Sequence, residues 1–190
     1  MDAERGSRAA ELSVEELMER YVDGDAASFD ALYERLATKL FGYLMRLTRN
    51  RERAEDLLQI TFTKVHRARA RYLRGAPVLP WILAIARRSF YDERRASSSR
   101  NENLSADGTL PEPAVVEDGV PLDVSVALER AMDALPEAYR EAIQLTKVTG
   151  LSVMEAADLL GTTPTAVKLR VHRGYEQLRR QLEQFRRGSP

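Results

Sequence analysis

The chain has 190 residues, 44% of them hydrophobic and 31% charged, with 29 basic against 29 acidic side chains and no cysteine. That content supplies a packed core and excludes disulfide scaffolds and thiolate metal sites, and no run approaches the roughly 18 apolar residues of a membrane span. The acidic start, Met1-Asp2-Ala3-Glu4-Arg5, lacks the basic-then-apolar layout of a signal peptide, so a cytoplasmic protein is expected. Zero net charge conceals a segregation. Residues 1–26 carry three basic and eight acidic side chains, and 27–100 carry sixteen and seven. Residues 101–127 carry none and six, and 128–190 carry ten and eight. Two basic modules joined by an acidic linker are the pattern of a nucleic-acid partner.

Taken in chain order, the elements are helical almost throughout. Val14, Leu17, Met18, Tyr21 and Val22 mark one helix face, which Asp23-Gly24-Asp25 ends. Phe29, Leu32, Tyr33, Leu36, Leu40, Leu44 and Leu47 outline a longer helix. Asn50 is placed to cap a third, whose inner face reads Ala54, Leu57, Leu58, Thr61, Phe62 and Val65. After the loop Arg74-Gly75-Ala76-Pro77, Pro80 suits the first turn of a fourth helix that turns Trp81, Ile82, Ile85, Ala86 and Ser89 inward. Phe90 and Tyr91 either pack or stay free to stack on a base.

From Ser97 to about Pro121 the periodicity disappears among serines, prolines and acids, which predicts a flexible linker. Beyond it, Val126, Ala131, Met132 and Leu135 outline a helix that Pro136 ends. Pro136 opens the next, with Tyr139, Ala142, Ile143 and Thr146 inward and Gly150 as terminator. Ser152-Val153-Met154-Glu155 is a capping box for a short helix through Ala156, Ala157, Leu159 and Leu160. Gly161-Thr162-Thr163 turns the chain, and Thr163-Pro164 starts the last helix. No alternating stretch is long enough for a strand. The expected fold is all-α: two small helical domains, 1–97 and 123–190, joined by a flexible acidic linker at 98–122.

A short capped helix, a Gly-containing turn and a basic helix form a helix-turn-helix layout over 152–182. On a helical wheel, Val167, Val171, Tyr175, Leu178 and Leu182 share the inner side. Thr165, Leu169, His172, Arg173, Glu176 and Arg180 lie opposite, flanked by Lys168 and Arg170. Thr163, Thr165, Lys168, Leu169, Arg170, His172 and Arg173 are therefore the residues expected to meet DNA, base edges first and phosphates from the later arginines. Leu169 on an exposed face suits contact with thymine methyl groups.

Several segments resemble one family. Ala54-Glu55-Asp56-Leu57-Leu58-Gln59 with Thr61-Phe62-Thr63-Lys64-Val65 is similar to the "AEDLxQxxFxxv" segment of the extracytoplasmic-function sigma factors of bacterial RNA polymerase. Pro80-Trp81-Ile82-Leu83-Ala84-Ile85-Ala86-Arg87-Arg88, with Asp92-Glu93-Arg94-Arg95, resembles "PWLxxIARN". Leu135-Pro136-Glu137-Ala138-Tyr139-Arg140 resembles "LPxxxR", and Val167-Lys168-Leu169-Arg170-Val171-His172-Arg173 resembles "VKSRLHR".

The resemblance implies a promoter-recognition subunit and no enzyme, with core polymerase, double-stranded and melted promoter DNA and an anti-sigma protein as partners, and no cofactor or metal. It implies that Glu55, Asp56, Leu57, Gln59, Phe62 and Lys64 bind the clamp helices of the largest polymerase subunit. It implies further that Arg74, Gly75, Ala76, Arg87, Arg88, Tyr91, Arg94 and Arg95 capture the minus-ten non-template strand, and that the last helix reads the minus-thirty-five element. Basic groups beside polar or aromatic side chains suit that single-strand task. Trp81 reads rather as a core aromatic. Two positions depart from the family pattern: Arg88 stands where Asn is usual and Leu169 where Ser is common, so promoter preference does not transfer. The linker's acids either suit a basic polymerase channel or are ordinary solvated charge.

The rival readings are an operator-binding regulator working without polymerase, an enzyme, and a protein adaptor. A repressor has no need of the Ala54–Val65 segment, and an adaptor has no need of a basic recognition helix. An enzyme finds only His66 and His172, in separate modules, with no phosphate loop or nucleophile motif. Asp92-Glu93 among arginines reads as a solvated or ion-paired helix surface.

Overall fold

A computed structural model describes residues 12–100 and 122–188, which fall into two compact units, each built on its own core. Among the described residues every regular element is helical. The predicted acidic linker lies almost wholly at 101–121, outside the described residues.

Among its described residues the first unit packs four α-helices, α1 (Val14–Val22), α2 (Ala26–Thr48), α3 (Arg51–Ala68) and α4 (Val78–Arg100), with a 3-10 turn at Arg69–Arg71. Each start has a local cause. Ser13 and Glu16 close a capping box on α1, with Ser13 Oγ accepting from the Glu16 N–H at 3.1 Å and the Glu16 carboxylate accepting from the Ser13 N–H at 2.7 Å. Asp25 caps α2 and Asn50 caps α3. The inner face of α3 is the predicted one residue for residue: Ala54, Leu57, Leu58, Thr61, Phe62 and Val65 are all buried. The same core holds Leu17 and Met18 from α1, Leu32, Leu40, Tyr43 and Leu44 from α2, and Val78, Ile82 and Leu83 from α4, these nine within 2% of full burial. Each such side chain contributes about 1.5–3 kcal/mol relative to an exposed one.

Two expectations shift here. Trp81 and Ile85 are half-buried, while Leu83 and Phe90 take core positions; Trp81 instead lies against the Tyr72 ring, centroids 5.4 Å apart. The fourth helix also runs past residue 97 to Arg100, since adding residues to an existing helix costs far less than nucleating one.

The second unit comprises α5 (Leu122–Asp133), α6 (Glu137–Ile143), a π turn (Gln144–Val148), α7 (Val153–Leu160) and α8 (Pro164–Gly188). Ala131, Leu135, Ile143 and Leu178 form a core cluster with Met132, Val171 and Leu182 beside it. The π turn is a departure from the expected continuous helix. The Thr149 N–H reaches back five residues to the Gln144 carbonyl at 2.9 Å, and the Thr149 hydroxyl donates to the Leu145 carbonyl at 2.6 Å. Glu141, Ala142 and Ile143 at the end of α6 and Gln144 and Leu145 of the π turn are buried in succession, a run that no 3.6-residue period produces. No described helix is long and apolar enough to cross a membrane.

Candidate nucleic-acid interface

The helix-turn-helix forms as its local signals require. Ser152 Oγ accepts from the Glu155 N–H at 3.2 Å and the Glu155 carboxylate accepts from the Ser152 N–H at 2.8 Å. Gly161 ends α7 at φ 60, the left-handed conformation that costs glycine nothing, and Thr163 Oγ1 accepts from the Ala166 N–H at 3.2 Å to start α8. Ala157 and Val167 are buried where the two helices meet.

Along α8, Val167, Gly174 and Leu178 are buried, and Val171 and Leu182 are half-buried. Thr163, Thr165, Lys168, Leu169, His172 and Arg173 are exposed, and Arg170 is half-exposed, as expected of a groove-facing row. Leu169 keeps 45% of its surface in solvent. His172 lies 3.7 Å from Glu176 one turn on, and no cluster of metal-ligating side chains occurs among the described residues. One predicted inward residue is misplaced: Tyr175 is exposed, while its neighbour Gly174 is buried against Ile143.

The first unit presents a second basic surface, on α4 and the loop before it. Arg88 and Arg94 are exposed. The Arg87 guanidinium lies 4.8 Å over the Tyr91 ring, and Tyr91 in turn meets the buried Phe90. Phe90 therefore packs, while Tyr91 stays half-exposed under a cation. The acidic pair is ion-paired as expected: Asp92 with Arg95 at 2.8 Å, and Glu93 with Arg53 of α3 at 3.1 Å. In the loop, Arg74 and Gly75 are exposed and Ala76 is half-buried. Leu73, absent from the expected set, projects with 76% of its surface in solvent. A large apolar residue at a loop tip was the signal that could have found it.

On α3 the six expected polymerase contacts divide. Glu55, Asp56 and Gln59 are exposed, with Ile60 beside them at 43%. Leu57 and Phe62 are core residues, 1% and 4% exposed, so packing accounts for their place in the motif. Lys64 is half-buried, its Nζ donating to Ser89 Oγ on α4 at 2.9 Å.

Residues 32–100 match the family described as Sigma-70 region 2, and residues 125–178 match Sigma-70, region 4. The chain is 39% identical over 166 residues to the RNA polymerase sigma factor CarQ of Myxococcus xanthus, covering 85% of this chain and 93% of that one. It is 31% identical over 167 residues to the ECF sigma factor SigL of Mycobacterium tuberculosis, covering 85% and 92%. Among solved structures, it resembles the sigma factor RpoE in complex with the anti-sigma factor NepR from Bartonella quintana (TM-score 0.67, 25% identity, 79% of this chain and 95% of that one). The fold is also that of CnrH in complex with the cytosolic domain of CnrY (TM-score 0.67, 22% identity, 89% and 96%). Two sigma regions in the expected order, on a capped helix-turn-helix and a basic four-helix unit, place the chain in the extracytoplasmic-function sigma factors of the sigma-70 family: it is a promoter-recognition subunit that binds core RNA polymerase and promoter DNA, and not an enzyme.

Proposed function

We propose that the two units divide promoter recognition between double-stranded and melted DNA. In this reading Thr163, Thr165, Lys168, Leu169, Arg170, His172 and Arg173 lie in the major groove of the minus-thirty-five element. Arg74, Gly75, Ala76, Arg87, Arg88, Tyr91, Arg94 and Arg95 hold the non-template strand of the minus-ten element. The exposed row Glu55, Asp56, Gln59 and Ile60 on α3 docks on the polymerase clamp helices. The functional division follows the expected domains, 1–97 and 123–190, with 98–122 between them. The work is done in the cytoplasm with the polymerase, under an anti-sigma protein of the kind that accompanies the RpoE structure.

The observation that carries this reading is the two-sided character of α8. Its buried side is apolar, and the exposed residues of its first half offer hydroxyl, imidazole, ammonium and guanidinium groups with Leu169 among them. That mixture suits base edges and phosphates together.

The test is run-off transcription by core polymerase on a promoter selected as one transcribed only when this protein is present, wild type beside Arg173→Ala. Loss of a guanidinium bound to a base edge costs about 1–3 kcal/mol, so promoter affinity should fall at least several-fold. A protein that fails to bind core polymerase would overturn the reading.

A further inference from the structure

The acidic helix α1 and the loop before α4 meet in a way the division of labour above leaves unexplained. Glu15, Glu19 and Asp23 recur every fourth residue, the first two on one stripe of α1 and Asp23 at its C-cap. Each engages a different part of the Tyr72–Val78 segment. The Glu15 carboxylate accepts from the Val78 N–H at 3.2 Å, the first N–H of α4 and one without an intrahelical partner. The Glu19 carboxylate accepts from the Gly75 N–H at 3.0 Å. Both oxygens of Asp23 take the Arg74 guanidinium, one of them at 3.1 Å; that pairing holds the Asp23 carboxyl below its ordinary range and pushes Arg74 further up.

The segment is also tied to itself. The Ala76 N–H donates to the Leu73 carbonyl at 3.0 Å, and the Tyr72 hydroxyl donates to the Ala76 carbonyl. Gly75 takes φ 77, where a side chain would be strained. Within this network the Leu73 side chain projects, three-quarters exposed.

Acidic groups on a strand-binding loop fit two devices. A brake would occupy the cations that phosphates need; a strut would fix the loop's shape. Two of the three carboxylates engage main-chain N–H groups, uncharged donors whose hydrogen bonds fix the backbone, and Arg74 keeps 54% of its side-chain surface exposed despite its pairing. We propose that Glu15, Glu19 and Asp23 are positioning residues for strand capture: they hold the Tyr72–Val78 loop so that Leu73 packs against an unstacked promoter base. This rests on the reading of that loop as the site of minus-ten strand capture.

The experiment compares open-complex formation by full-length protein and core polymerase on the selected promoter, with Glu15→Ala/Glu19→Ala, Glu15→Gln/Glu19→Gln and Leu73→Ala. Core binding and thermal unfolding are followed in parallel. The Ala pair should lower open-complex formation roughly tenfold, as expected for loss of charge-assisted hydrogen bonds, while core binding holds. The Gln pair, whose amide oxygens still accept from N–H, should stay within about threefold of wild type. Leu73→Ala should fall like the Ala pair. If Leu73→Ala falls and the Ala pair does not, the strut is overturned and strand capture stands. If both the Ala and Gln pairs rise, the contact is a brake and the strut is overturned. If Leu73→Ala changes nothing, the loop does not capture the strand and the inference falls with that reading.

Discussion

At position 174, an added methyl group would lie 2.6 Å from Ile143 Cδ1 and 3.5 Å from Tyr139 Cβ. Glycine inside a helix normally costs about 1 kcal/mol relative to alanine, so its presence at the middle of α8 is explained by the approach of α6. Overpacking costs about 1–3 kcal/mol, which outweighs the propensity gain here because Ile143 is only 4% exposed and has little room to move. Gly174→Ala should therefore lower stability in denaturant unfolding. In an Ile143→Val background, which lacks Cδ1, the same change should be neutral or stabilising. An additive double-mutant cycle would show that the contact is not the cause. Apolar spacing places Tyr175 inward on the wheel of α8, but the buried position beside it is taken by Gly174, which has no side chain for such a pattern to register.

Among the elements, α7 depends most on its ends. It has eight residues, Val153–Leu160, too few to be stable alone, and both ends are closed by specific groups: the Ser152–Glu155 box and Gly161 in the left-handed conformation. Ser152→Ala should cost about 1 kcal/mol by removing the acceptor of the Glu155 N–H. The loss should appear as faster hydrogen exchange in α7 and weaker promoter binding, with the four helices of the first unit unchanged. Equal loss in both units would show the effect to be global. These caps were legible because each is a fixed spacing of a few residues. The π turn was not, because it follows from which of Glu141–Leu145 the core accepts and not from any sequence period.

For the molecule as a whole, charge distribution matters more than the zero total. The later basic residues of α8, Arg179 and Arg180, are exposed beyond the base-reading row, where phosphate contacts position a helix without reading sequence. Arg180→Ala should weaken promoter binding by the polymerase complex similarly across sequences, and reduce the slope of log affinity against log salt by about one. An unchanged slope would remove Arg180 from the phosphate contacts. Arg173→Ala, by contrast, should relax preference among promoters.

The all-α class, the helix starts at Asn50, Ser152 and Thr163, and the whole inner face of α3 were determined by the sequence alone, since caps and 3.6-residue periods are local properties. So was the family, because its motifs are linear. The tertiary structure decided what each motif residue does. It placed Leu57 and Phe62 in the core and Glu55, Asp56, Gln59 and Ile60 outside. It tied Lys64 to Ser89, and it set Glu15, Glu19 and Asp23 against a loop more than fifty residues away in sequence. Burial and long-range hydrogen bonds depend on which helices meet, and no spacing within one helix records that.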